Sequence, residues 1–226
     1  MRYIFILLIL GCLSCNNERV LQLPEIENAE VTEVLDVSPA YIFYDETQPD
    51  STLLNRKNLI TTTNWLVNVD KRLTLRQAIP HIQFLQDKKR NAEMHKNEDA
   101  KNYFTCNDVS IGNLGFLEFT DVNYITDINS YFEEDPNDSK TVNIHFFSNG
   151  FFNVSEVFSN FETKVETLAI DTNFNYDYFE SYRNEKNKIY LSFDNRLTFQ
   201  NYIDLKYKLI NFTNEMTEIS NDEFIY

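Results

Sequence analysis

The chain has 226 residues, of which 42% are hydrophobic and 15% aromatic, enough to bury a sizeable core and too many for global disorder. Its formal net charge of −15 repels a phosphate backbone, which argues against nucleic acid as a partner. With four glycines and five prolines it is not a linker-rich or low-complexity chain, and little material is left for phosphate-cradling loops.

Met1 and Arg2 give a positive start, Tyr3 to Leu10 are apolar or aromatic, and Gly11, Cys12, Leu13 and Ser14 precede Cys15. This is the layout of a secretory signal, and its apolar run is far shorter than the roughly 20 residues that span a bilayer. Leu13-Ser14-Cys15 resembles the lipobox of bacterial lipoproteins, with Ser14 as the small residue at −1 and Cys12 replacing the usual leucine at −3. The resemblance implies a signal peptide in residues 1–15, a lipid on Cys15 and a place in the bacterial cell envelope. Ile9-Leu10-Gly11-Cys12 is a second lipobox with a shorter apolar run, and an ordinary signal peptide with incidental cysteines is the remaining reading. With Cys12 removed and Cys15 lipidated, Cys106 is left alone, so no intramolecular disulfide forms and the fold rests on its core. An acidic chain is also repelled by anionic lipid, which makes a covalent anchor the more useful attachment.

Residues 16–30 are polar and read as a tether. Val31 to Leu35 and Ala40 to Tyr44 are short β-branched and aromatic runs, and Asn58 to Val69 is a longer strand candidate. A helix follows, with Thr74 and Gln77 placed as a capping box and Leu75, Ile79, Ile82 and Leu85 on one face. Pro80 is expected to kink it or delay its start. Asp87 to Lys101 is charged without apolar period and reads as an exposed loop, after which Leu114 to Phe119 restarts a strand.

In the second half, Thr141 to Phe147 and Phe151 to Phe158 flank Ser148-Asn149-Gly150, a strong hairpin signal. Lys164 to Ile170 and Lys188 to Phe193 read as strands, and Asp171 to Tyr182 as a helix without a clean period. Thr198 caps a helix that runs to Phe212, and a short strand closes the chain near Glu223 to Tyr226. The pattern is α+β, with strands in an antiparallel or mixed sheet.

Val67 to Leu75 (VNVDKRLTL) is echoed by Leu191 to Phe199 (LSFDNRLTF), with Asp, Arg, Leu and Thr at the same spacing. Asp70 and Asp194 are placed to bond backbone N–H groups as the chain leaves a strand, Leu73 and Leu197 to plug the core, and Thr74 and Thr198 to cap a helix. Two duplicated units follow from this reading, over 31–125 and 126–226, in one domain or two. The strand–Asp turn–helix element resembles part of the periplasmic domain of the ExbD/TolR family of envelope transport proteins, Leu191 to Leu209 being the closer fit. Energy coupling in that family uses an aspartate in a membrane-spanning helix, which this chain lacks. What the resemblance implies is a small envelope-facing interaction domain.

His81, His95 and His145 stand in no paired ligand spacing, so neither a metal nor a cofactor is expected. Cys106 reads as a buried structural thiol. The acidic run Glu133 to Ser139 fails the calcium-loop pattern, because Lys140 and Phe146 stand where glycine and glutamate are required. Phe151-Phe152 and Tyr176-Tyr178-Phe179 are the candidates for exposed aromatics, while most rings fall on core faces. The expected function is a non-catalytic envelope lipoprotein that binds another envelope protein, with Arg72 and Arg196 as interaction residues near an exposed groove. Two alternatives are an acidic inhibitor or immunity-type protein of a basic enzyme, and a hydrolase using dispersed carboxylates or Cys106.

Overall fold

The structure is a computed structural model, and it describes residues 19–92, 97–127, 140–157, 163–170, 187–210 and 217–226. Among them are two helices and twelve strands in two mixed sheets, an α+β fold. The first sheet holds β1 (Glu25–Ile26), β2 (Val37–Tyr44), β3 (Thr52–Asn55), β4 (Asn64–Val69), β5 (Asn102–Asp108) and β6 (Asn113–Glu118). In the second are β7 (Asn123–Ile125), β8 (Lys140–Phe146), β9 (Phe151–Val157), β10 (Thr163–Ala169), β11 (Asn187–Phe193) and β12 (Thr217–Ile225). Helix α1 spans Leu75–Arg90 and α2 spans Phe199–Ile210.

Both sheets are laid out alike around the two helices. β2 and β3 form an antiparallel hairpin, β4 returns parallel to β2, and β5 lies parallel to β4 after α1. Likewise β8 and β9 form a hairpin, β11 lies parallel to β8, and β12 lies parallel to β11 after α2. Parallel neighbours need a crossover, and each helix supplies one. β4 buries alternate residues, Trp65, Val67 and Val69, and these meet Leu75, Ile79, Ile82 and Leu85 of α1 in the core. In β11, Ile189, Leu191 and Phe193 do the same against Tyr202, Ile203 and Leu209. The core is continuous between the halves, since Tyr202 packs edge-on against Phe193 of the second sheet and Phe104 of the first.

A reciprocal set of backbone hydrogen bonds joins the halves. Leu75 N–H donates to Leu197 C=O (2.9 Å) and Phe199 N–H to Leu73 C=O (2.6 Å), around a Thr74–Thr198 bridge. Outside this pair, Arg76 N–H donates to Asn195 C=O (2.8 Å) and Gln200 N–H to Lys71 C=O (3.2 Å). Equivalent residues of the sequence echo thus exchange equivalent bonds, the pattern of a two-fold interface within one chain. Helix N-termini leave orphan N–H groups, and here each turn supplies carbonyls to the other half's helix.

The structure departs from the sequence reading in several places. Residues expected to be tether are docked from Arg19 onward: Lys71 N–H donates to Gln22 C=O, Asn107 N–H to Pro24 C=O, and Glu25 exchanges two bonds with the Gln200 amide. Val31 to Leu35 makes only an isolated bridge at Val31, and the strand expected from Asn58 begins at Asn64, because Ile60 to Thr63 turn to receive the Trp65 indole and Ser38. Pro80 does not delay helix α1, which starts at Leu75 and runs on past the exposed proline. It continues to Arg90 through part of the expected loop, since Lys88, Lys89 and Arg90 suit a helix C-terminus. Cys15, His95, the acidic run 133–139, the helix expected over 171–182 and Tyr176, Tyr178 and Phe179 lie outside the described residues.

Candidate functional site

The two Asp–Arg turns sit at the carboxyl ends of parallel strands, a place where open sheets build ligand sites. Asp70 N–H is taken by Ile42 C=O of the neighbouring strand, and Asp194 N–H by Phe146 C=O in the same way. Each carboxylate then accepts the N–H of the arginine two residues on, at 3.1 Å for Arg72 and 2.9 Å for Arg196. The arginine side chain returns to its own aspartate as a fork. Arg72 donates Nε–H to Asp70 Oδ1 (2.8 Å) and Nη2–H to Oδ2 (2.7 Å), while Arg196 Nη2–H reaches Asp194 Oδ2 at 2.6 Å. The aspartate side chains are buried at 0% and 7% exposure, whereas the arginine side chains stand out at 40% and 74%. Both arginines are therefore displayed on a fixed base, paired yet still accessible.

The electrostatics follow from these contacts. Burial alone would raise the Asp70 pKa, but the Arg72 guanidinium and the Arg72 and Gln22 N–H groups together hold it below the usual carboxylate range. Asp194 is held well below that range, first by the Arg196 guanidinium and then by Arg196 N–H and Ser148. Both arginines are pushed up by their aspartates.

A cleft of about 420 Å³ opens beside the first turn, lined by Arg19, Val20, Tyr44, Asp45, Glu46, Thr47 and Arg72. The Arg72 guanidinium lies 4.6 Å from the Tyr44 ring centre, a cation–π contact. Across the cleft Arg19 Nε–H donates to Asp45 Oδ2 (3.1 Å), and Tyr44 Oη–H donates to Glu46 (3.0 Å), which raises the phenol's pKa. Asp45 is lowered, first by the Thr47 hydroxyl and then by Thr47 N–H. The acceptors are thus largely engaged, while the Nη1 donors of Arg72 and the Nη donors of Arg19 have no partner among the described residues.

The other sequence candidates do not join this site. Cys106 is buried in β5, and burial pushes its thiol up to about 12, which removes the thiolate a nucleophile needs. His81 is lowered by burial on α1, and His145 is lowered by burial beneath the stacked ring of Tyr226, its Nδ1 without a partner among the described residues. No group of three or more His, Cys, Asp or Glu able to hold a metal occurs among the described residues. Phe151 is exposed and Phe152 is fully buried, so alternation along β9 separates that pair. Sequence reasoning missed Arg19, Tyr44 and Glu46, which join Arg72 in lining the cleft through the docked N-terminal segment, the end of β2 and the turn after it; no local pattern marks them. Lys89 was also missed. Its ammonium is buried against Trp65 and donates to Lys101 C=O (2.9 Å) and Asn102 Oδ1 (3.0 Å), and burial lowers its pKa to about 8.

Fold and site together define an α+β chain that displays two fork-paired arginines at the ends of two parallel strand sets. The chain matches no protein-family model, no curated protein and no solved structure.

Proposed function

We propose that this protein is a non-catalytic interaction module, held at a bacterial envelope membrane by a lipid on Cys15, that binds an envelope protein through Arg196. The observation that carries the reading is the geometry of the second turn. Arg196 is three-quarters exposed, yet its guanidinium is fixed by bonds to a nearly buried carboxylate, so little side-chain entropy is lost when a partner uses its outward donors. A pre-fixed, planar donor of this kind suits a carboxylate or backbone carbonyl on another protein. The cleft beside Arg72 offers a carboxylate held below its ordinary range at Asp45, a raised phenol and two arginines. That set supplies binding contacts rather than a nucleophile with its base. The lipobox and the likeness to an envelope-facing domain support the location. Among the described residues no helix is long and apolar enough to cross a membrane.

The test is crosslinked affinity capture of the lipidated protein from its native membranes, with Arg196→Ala and Cys15→Ser in parallel. A partner captured by the native chain and lost with both variants supports the reading. A partner retained by Arg196→Ala overturns the role of that arginine, and capture of none, alongside hydrolytic activity, returns the hydrolase reading.

A further inference from the structure

From the docking of the N-terminal segment we infer that the Arg19–Arg72 cleft is the membrane-facing surface of the protein, and that its two arginines receive phosphates of phospholipid headgroups. This rests on the reading of Cys15 as the lipid anchor.

Chain length sets the geometry. Cys15 and Arg19 are four residue steps apart, and a fully extended chain covers at most about 14 Å in that span. Arg19 is already on the fold through Asp45. Three residues later the attachment becomes main-chain: Gln22 N–H donates to Asp70 Oδ2 (3.3 Å) and Gln22 C=O accepts from Lys71 N–H (2.8 Å). Even if the exposed Arg19–Asp45 pair opens, Gln22 stays within about 25 Å of the anchor. The fold therefore has no long leash on which to turn over, and the end of the sheet next to Gln22, Asp70 and Tyr44 is the end nearest the lipid. The opposite end of β4, where Trp65 N–H bonds Lys101 C=O, is about 17 Å farther along the strand axis.

The chemistry of the near end fits what it would meet. Arg19 and Arg72 both line the cleft, Arg72 held by Asp70 through Nε and Nη2 and Arg19 by Asp45 through Nε, and Arg72 Nη1 and both Nη groups of Arg19 have no partner among the described residues. Guanidinium groups match phosphate oxygens in pairs. Asp45 and Glu46 stand in the same cleft, and a headgroup ammonium is the complement to them. Each contact is weak alone in water, but a lipid on Cys15 makes every one intramolecular, with an effective concentration in the millimolar range for so short a linker. The chain's acidity opposes any stronger adsorption, so the anchor and the cleft act together.

The test uses the full lipidated protein in vesicles of phosphatidylethanolamine and phosphatidylglycerol that contain a headgroup-linked quencher. A fluorophore is placed on Val20→Cys, at the cleft, or on Asp99→Cys, in the turn beside Lys101; Cys106 is buried and stays unlabelled. The expected result is at least threefold stronger quenching at position 20, falling at least twofold toward the position 99 value when Arg19 is also changed to Gln. Equal quenching at both positions, with mass spectrometry showing lipid on Cys15, overturns the orientation and leaves the anchor standing. Unchanged quenching in the Arg19→Gln background overturns the phosphate contact. An unmodified Cys15 overturns the anchor reading and the orientation with it.

Discussion

Replacing Asp70 with Asn tests whether the turn is held by a carboxylate or only by its shape. The side chain is fully buried and accepts four bonds: Arg72 N–H and Nε–H on Oδ1, and Arg72 Nη2–H and Gln22 N–H on Oδ2. An amide keeps one acceptor oxygen and turns the other position into a donor. Two donors then face an NH₂, and the charge that strengthened the remaining bonds is gone. Bonds to charged groups contribute about 1.5–3 kcal/mol each, but the Arg72 side chain is 40% exposed and its released guanidinium regains water. The expected net loss is about 2–3 kcal/mol. Urea unfolding followed through Trp65, the single tryptophan and a core residue, reads it as a midpoint lowered by about 1 M. The pH dependence carries the sign. Because the folded Asp70 pKa is depressed, its stabilisation is fully present above the ordinary carboxylate range and is lost as pH falls through the folded value. The deficit of Asp70→Asn relative to the native chain is therefore largest near pH 7 and shrinks toward pH 3. A deficit below 0.5 kcal/mol at pH 7, on the order of an ordinary surface change, or one that does not shrink on acidification, refutes the reasoning.

Stability rises with pH through Lys89 as well, because its folded pKa is also depressed. The folded ammonium releases its proton near pH 8, while the unfolded lysine holds on to about 10.5, so between these values the unfolded chain binds more protons and stability rises with pH by up to about 3 kcal/mol. Trp65 emission, 5.2 Å from the ammonium, is expected to show a transition near pH 8 that Lys89→Met abolishes; a native titration curve flat from pH 7 to 10 sinks this. Gly115→Ala would set a Cβ 2.5 Å from Ala29 Cβ and 2.9 Å from Ile26 Cδ1, at a cost of about 1–3 kcal/mol measured by thermal unfolding, and an unchanged midpoint would show that the docked N-terminal segment gives way freely. Tyr202→Phe removes a hydroxyl that donates to buried Glu223 (2.8 Å) and meets Tyr124 Oη (3.1 Å). Among the described residues Lys206 is then the side chain still bonded to Glu223, a loss of about 1–3 kcal/mol is expected, and a neutral result would mean that water replaces the hydroxyl.

Legibility in the sequence depended on where each residue finds its partner. The hairpin at Ser148-Asn149-Gly150 was readable because Gly150 adopts a left-handed φ of 83°, which its own residue type announces. The start of α1 was readable because Thr74 and Gln77 bond each other. The strand β5 was not, since Asn102, Thr105 and Asp108 break its apolar run. Asn102 is excused by Lys89 and Thr120, and Asp108 by Ser110 and the Ala29 N–H, which help hold its carboxyl down to about 2. Those partners are distant in sequence or lie beyond the strand, so no local window contains the explanation. The same division runs through the site. Arg72 and Arg196 were visible because each pairs with an aspartate two residues back, whereas Tyr44 and Arg19 enter through the fold alone.

The reciprocal bonds at Thr74 and Thr198 also set a schedule for making the protein. The first two N–H groups of α1 find their acceptors on Leu197 and Asn195, more than a hundred residues downstream. While the chain is being synthesised, those two N–H groups have only water to bond until that downstream segment has emerged. Domains that fold early do so as they leave the ribosome. Here the first turn of α1 gains its last backbone partners only when the segment around Asn195 to Leu197 docks against it.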